Sequence, residues 1–134
     1  MFKQTVTLYH RIETAADTGG VSERWTRIPI VGVYFAATSG ERSTGQGALT
    51  DAGGVLLIPF EGHESQYHPP GEFDDEGWTV EVGDRIVEGL LDYEILHSPS
   101  ELRAFGPVST VTSIRRMPFG GLAHWKIWCD GSQY

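Results

Sequence analysis

The sequence predicts an all-β protein: a small antiparallel β-barrel or sandwich of seven to eight strands, with two long polar loops and at most one short helical turn. Three observations carry this. Short runs rich in β-branched and aromatic residues alternate side-chain character at a period of two, as in QTVTLYHRI and WTVEVGDRIVEG. Glycine-bearing turns separate those runs, and the chain's 17 glycines are about twice the usual share. Only SPSELRAF carries a helical signal, with Ser98 or Ser100 placed to cap a single turn begun by Pro99.

The elements follow in order. In QTVTLYHRI, Val6, Leu8 and His10 share one face, and Thr5, Thr7 and Tyr9 the other. ETAADTGGVSE then reads as a turn around Gly19-Gly20. In RWTRIPIVGVYFAAT, Pro29 lacks an N–H, which predicts a strand near Trp25 to Ile28, a break, and a second strand from Val31 to Ala37. Ser39 to Gly53 is polar and glycine-rich, the first long loop. VLLIPF is a short buried strand, and Glu61 to Gly77 is the second loop. Loops longer than about 12–15 residues are uncommon in compact domains and are usually functional or disordered.

WTVEVGDRIVEG predicts a hairpin turning at Gly83-Asp84. Its alternation assigns Trp78, Val80, Val82 and Ile86 to the core, together with Ile114. DYEIL extends the strand set. VSTVTSIRRM and LAHWKIWCDG close it, joined by the turn Pro118-Phe119-Gly120-Gly121. No linker or repeat divides residues 1–134, so the expectation is a single domain with excursions at 39–53 and 61–77.

Composition bounds the function. Hydrophobic residues make up 40% and charged residues 21%, the balance of a globular chain. With 10 basic and 18 acidic side chains the net charge is -8, which opposes general binding to phosphate backbones. One cysteine, Cys129, excludes an internal disulfide, and the chain is expected to fold in a reducing compartment. The first residues show no secretion signal, and no apolar run approaches a membrane span.

Candidate chemistry is sparse. His63 and His68 lie among Glu61, Glu64, Asp74 and Asp75, a composition suited to zinc or iron but without a recognised ligand spacing. No metal is expected there. GQGALTDAGG lacks the Lys-Ser or Lys-Thr and the helix start of a phosphate cradle. No serine sits in GxSxG, and adjacent Asp74 and Asp75 point apart in an extended chain. The expectation is therefore no catalytic residue, no cofactor and no enzyme. Trp25, Trp78, Trp125 and Trp128 all fall in predicted strands and read mainly as packing residues.

The order of the pieces resembles a family. An opening TVTLY strand (Thr5 to Tyr9) precedes a tryptophan-bearing strand (Trp25). A GDRIVEG segment (Gly83 to Gly89) precedes VTSI (Val111 to Ile114), and the closing strand carries HWKI (His124 to Ile127). This arrangement resembles the head-to-tail connector proteins of tailed phages and prophages, of the stopper, head-completion or minor capsid type. The resemblance covers most of the chain outside the two polar excursions.

It implies a structural component of a phage particle, located at the neck of the virion and made in the bacterial host's cytoplasm. Such a protein would form a ring of six or twelve copies between the portal or adaptor and the tail terminator or tail tube. DNA would pass through the lumen without sequence-specific binding. Tail terminator or capsid-associated protein is the neighbouring alternative; a stand-alone binding module, or a metal-dependent enzyme using His63 and His68, is an alternative of another class.

A ring protein of this kind needs a rigid barrel and loops that reach neighbours. Neither polar excursion holds enough apolar residues to offset its own ordering entropy, so both are expected to leave their own barrel and contact other subunits. Leu49, Tyr67 and Phe73 are the expected anchors, and Glu41, Arg42, Asp74 and Asp75 the charges that set register.

Overall fold

The structure is a computed structural model that describes residues 3–15, 21–44, 47–96, 98–118 and 122–131, with side chains over 3–13, 23–36 and, within the same ranges, 54–130. Six strands form a closed ring: β1 (Gln4–Ala15), β2 (Val21–Thr44), β3 (Gly47–Pro59), β4 (Arg85–Glu88), β5 (Ser109–Met117) and β6 (His124–Gly131). The order around the ring is β1-β2-β3-β6-β5-β4, and every ladder is antiparallel. The all-β fold is as the alternation predicts. The strands are six because two predicted pairs fuse or dissolve.

The first pair fuses at Pro29, which lies inside the continuous β2, opposite Thr7. Hydrogen-bond polarity explains the tolerance. Gly89 N–H donates to Thr5 O at 2.7 Å, so Thr5, and with it Thr7, turn their backbone groups toward β4. The Thr7–Pro29 pair is then a non-hydrogen-bonded one, and the proline nitrogen faces away from the ladder. β2 bonds to β3 only from Tyr34 onward, so no second ladder is broken. The irregularity falls three residues later. Gln4 pairs with Val33 and Thr5 with Val31, leaving Gly32 bulged out at φ 72°, a conformation glycine adopts without penalty.

The second pair dissolves at the predicted hairpin. Trp78 makes an isolated parallel bridge to Tyr67, and only Arg85–Glu88 forms a strand. Trp78, Thr79 and Val80 are all buried in succession, so this segment enters the barrel as a plug without the period of a sheet. Val82 is consequently not a core residue: it is 56% exposed at the turn. Asp84, at the predicted turn, is buried. DYEIL also makes no ladder.

The barrel interior is filled by Val6, Leu8, Phe35, Leu56, Ile58, Trp78, Val80, Ile86, Trp125 and Ile127, with Ile114 half-buried against them. A second cluster lies outside the ring, where Tyr9, Trp25 and Val87 meet Leu102 and Val108, with Leu91, Tyr93 and Ile95 packed on them. This is why β1 is buried on both faces, Thr7 and Tyr9 as fully as Val6 and Leu8.

The segment 90–106 is thus a strap over the β1–β4 face. It ends in a 3-10 turn, Pro99–Phe105, capped by Ser98 in a capping box with Glu101. Two further 3-10 turns, Glu64–Gln66 and Pro70–Glu72, lie in the second polar excursion, so the helical content exceeds the single predicted turn.

That excursion does not leave its barrel. Tyr67 stacks on Trp78 and Trp125, with ring centroids 4.9 and 5.0 Å apart. Trp78 Nε1–H donates to His63 O at 2.9 Å. Phe73 also packs on the interior cluster. The expectation failed because Glu61 to Gly77 was weighed alone, whereas its few aromatics share the surface of Trp78 and Trp125.

Ser39 to Gly53 is not a loop either. Its two halves form the distal ends of β2 and β3, paired from Ala37–Gly54 to Thr44–Gly47. Among the described residues, β1 pairs with β2 no further than Val33, and β6 pairs with β3 no further than Gly54. Residues 38–44 and 47–53 are therefore, among the described residues, a two-stranded arm projecting roughly 20 Å from the ring at about 3.3 Å per residue.

Candidate functional site

β2 extends beyond the ring at both of its ends. At one end lies the arm. At the other, Arg11–Ala15 pair with Val21–Trp25 past the β1–β4 ladder, which stops at Tyr9–Arg85. The inner face of this second ribbon continues the interior face of β1, so His10 and Ile12 follow Val6 and Leu8 over the mouth of the barrel.

Pro70, Gly71, Phe73 and Asp75 of the second excursion stand across from the ribbon. Between them is a cleft of about 420 Å³, bordered also by His10, Arg24 and Glu81. The Phe73 ring meets the His10 imidazole edge-on, with centroids 5.6 Å apart at 83°.

Behind His10 lies Asp84. The two are 3% and 1% exposed, and His10 Nδ1 is 2.9 Å from Asp84 Oδ2. Asp84 accepts two backbone donors as well. Glu81 N–H reaches Oδ2 at 2.9 Å, and Arg11 N–H reaches Oδ1 at 3.2 Å. A buried carboxylate is stable only when its lone pairs are filled in this way.

The turn that delivers Asp84 is local in origin. Gly83 takes φ 100°, which other residues resist. Asp84 N–H closes on Glu81 O at 3.0 Å, and Gly83 N–H and Asp84 O bond to Val111 of β5. The carboxylate thus ties β1 to the Glu81–Asp84 turn, which β5 holds in turn. One ligand-type atom from each of His10, Glu81 and Asp84 lies within 4.8 Å of the other two.

The residues assigned from sequence are distributed differently. Phe73 and Asp75 reach the cleft. Asp75, at φ 70°, accepts from Thr26 Oγ1 at 3.4 Å and pairs with Arg24 at 3.6 Å, both in its own chain. Asp74 is exposed, and Tyr67 lies in the aromatic cluster below. Glu41, Arg42 and Leu49 lie on the arm, where their side chains fall outside the described residues.

His63 turns Nδ1 to Pro59 O at 3.0 Å and Nε2 to Val31 O at 2.7 Å, so both ring nitrogens face carbonyl oxygens. Sequence reasoning missed the His10–Asp84 pair. A signal existed for half of it, since His10 continues the apolar face of Val6 and Leu8. Asp84 carried none, because Gly-Asp is ordinary turn chemistry.

Cys129 is buried in the core, and burial pushes its thiol up to about 12. It is a packing residue in β6, not a nucleophile at neutral pH.

No curated protein and no solved structure matches the chain. A family model does, over residues 1–130, a span that takes in the arm, the cleft and all six strands except Gly131, the last residue of β6. The chain belongs to that family, DUF6751, a family of unknown function.

Proposed function

We propose that the chain is a structural component of a tailed phage particle: a head-to-tail connector, of the stopper or head-completion type, whose copies form a ring around the DNA channel between portal or adaptor and tail. The observation that carries this reading is the arm. Residues 38–44 and 47–53 form a two-stranded ribbon with both outer edges unpaired among the described residues. A lone two-stranded hairpin is marginal in water, and exposed edges are templates for pairing with another chain. Such an arm has its use in an assembly, where a neighbour covers it.

Three further features support the reading. The order of the TVTLY, GDRIVEG, VTSI and HWKI segments resembles that of phage connectors. The closed ring of strands is a rigid body able to fix spacing between copies. A net charge of -8 would let DNA slide through a lumen by repelling its phosphates.

The test is genetic and structural. The gene is inactivated in the phage or prophage genome that carries it, and the lysate is viewed by electron microscopy. Filled or leaking heads separated from free tails are expected, with complete virions restored by the intact chain supplied in trans. A normal yield of complete, infectious virions from the inactivated genome would sink the reading.

A further inference from the structure

We propose that His10 and Glu81 form a binding site for one divalent transition-metal ion at the mouth of the barrel, with Asp84 as the carboxylate that orients the imidazole. The site is independent of the connector reading. One ligand-type atom from each of His10, Glu81 and Asp84 lies within 4.8 Å of the other two, which places the Glu81 carboxylate beside the His10 ring. The three do not play equal parts. His10 and Glu81 border the cleft; Asp84 lies behind the imidazole, its oxygens taken by His10 Nδ1 and by the N–H groups of Glu81 and Arg11.

With Nδ1–H donated to Asp84, the lone pair of the ring sits on Nε2. A histidine whose second nitrogen is held by a carboxylate is the recurring partner of zinc-type ions, since the carboxylate fixes the tautomer and raises ligand basicity. An imidazole nitrogen beside a carboxylate oxygen selects zinc, cobalt or nickel over magnesium or calcium, which prefer oxygen alone.

The surroundings favour a cation. Among the residues bordering the cleft, Glu13, Asp75 and Glu81 bring three carboxylates against the two guanidiniums of Arg11 and Arg24. Arg11 pairs with Glu13 at 3.0 Å and Glu23 at 3.3 Å, and Arg24 with Asp75 at 3.6 Å, so among the described residues Glu81 is the cleft carboxylate that no guanidinium neutralises. A cleft of about 420 Å³ also leaves room for the waters that complete the coordination shell.

The experiment titrates Zn²⁺ into the full-length chain by calorimetry at neutral pH, with Co²⁺ absorption as a second readout of coordination. One ion per chain is expected. Glu81 is exposed, so Glu81→Gln keeps the fold and is the decisive variant. It should weaken binding at least as much as loss of an orienting partner does, about 10–100-fold. Asp84→Asn, with near-UV dichroism as a check on folding, should weaken it within that same range.

The double variant His63→Ala/His68→Ala should bind as the parent does. Nitrogen-15 spectra of the parent should show metal-induced change at His10 Nε2, which keeps the proposal testable if His10→Gln does not fold. Any of three outcomes overturns it: no stoichiometric ion in the parent, unchanged binding in Glu81→Gln, or loss of binding in the His63/His68 variant.

Discussion

Val80 and Val82 stand two residues apart in an alternating run, and a strand would bury them equally. They differ because the run is not in a sheet at that point. Val80 is 2% exposed inside the barrel, and Val82 is 56% exposed where the chain turns. Val80→Ala should lower stability by about 1–3 kcal/mol, a lost buried group plus a partial cavity. Val82→Ala should change it by less than about 0.5 kcal/mol, as exposed substitutions do. Urea midpoints of the two variants measure the contrast, and equal shifts would return both valines to one face.

Tyr9 gives the residue scale its pH dependence. Burial pushes its phenol up to about 12 from an ordinary 10.0, while its hydroxyl donates to Tyr93 O at 2.7 Å. The folded state therefore holds the proton more tightly than the unfolded state. The resulting stability is complete below pH 10 and is lost as pH rises from 10 toward 12. Tyr9→Phe should cost about 0.5–1.5 kcal/mol at pH 7 through the lost hydrogen bond. Because it cannot ionise, its deficit against the parent should shrink between pH 10 and 12. A deficit that stays constant or widens over that window would show that Tyr9 does not titrate there.

At the scale of elements, the strap is held by a few polar contacts centred on Glu101. Its Oε1 accepts from Tyr93 Oη–H at 2.7 Å and Leu96 N–H at 2.9 Å, and its Oε2 from Ser98 N–H at 2.8 Å. The same hydrogen bond raises the Tyr93 phenol above its ordinary value. Glu101→Ala removes the glutamate half of the capping box, a loss of about 0.5–2 kcal/mol. The amides of Leu96, Ser98 and Ser100 should then exchange faster with solvent while those of β1 and β6 keep their rates. Uniform acceleration would mean that strap and barrel open together.

The strap also marks what the sequence could carry. Its capped turn was legible, because Ser98, Pro99 and Glu101 act on one another within a few residues. The strap's docking on Tyr9 and Trp25 was not, since DYEIL has the composition of a strand and nothing local says that no partner edge awaits it. Pro29 shows the same limit in reverse. Proline predicts a break from sequence, but its tolerance depends on which way β1 points its carbonyls, and that is set by β4 far along the chain.

For the whole molecule the same division holds. Alternation in β1, β3, β5 and β6 was enough to predict an all-β fold, because each of those strands buries a face against the interior. The count and the excursions were not legible, because they depend on pairing between distant segments. The His10–Asp84 contact joins residues 74 apart in the sequence, and Tyr67 lies on Trp125 of β6. A composition-weighted reading of Glu61 to Gly77 could not see either surface. The first excursion differs for another cause: glycine and polar residues suit loops, yet they also suit a two-stranded ribbon that extends past the ring.

That arm supports the largest-scale prediction. Among the described residues the barrel's ladders end at Val33 on β2 and at Gly54 on β3, and no other strand pairs with 38–44 or 47–53. Replacing 39–52 by a two-residue Asn-Gly turn between Thr38 and Gly53 closes β2 and β3 as a tight hairpin, for which that dipeptide is the favoured connection. The shortened chain should keep the near-ultraviolet dichroism of the Tyr67–Trp78–Trp125 cluster and denature within a few degrees of the parent. Shortening the connection changes the closure entropy only slightly. It should nevertheless fail to restore virions when supplied to the inactivated genome, because the edges that neighbours would cover are gone. Two results would count against this account. Collapse of the shortened barrel would make the arm part of the fold, and full restoration of virions would leave the arm without a role in assembly.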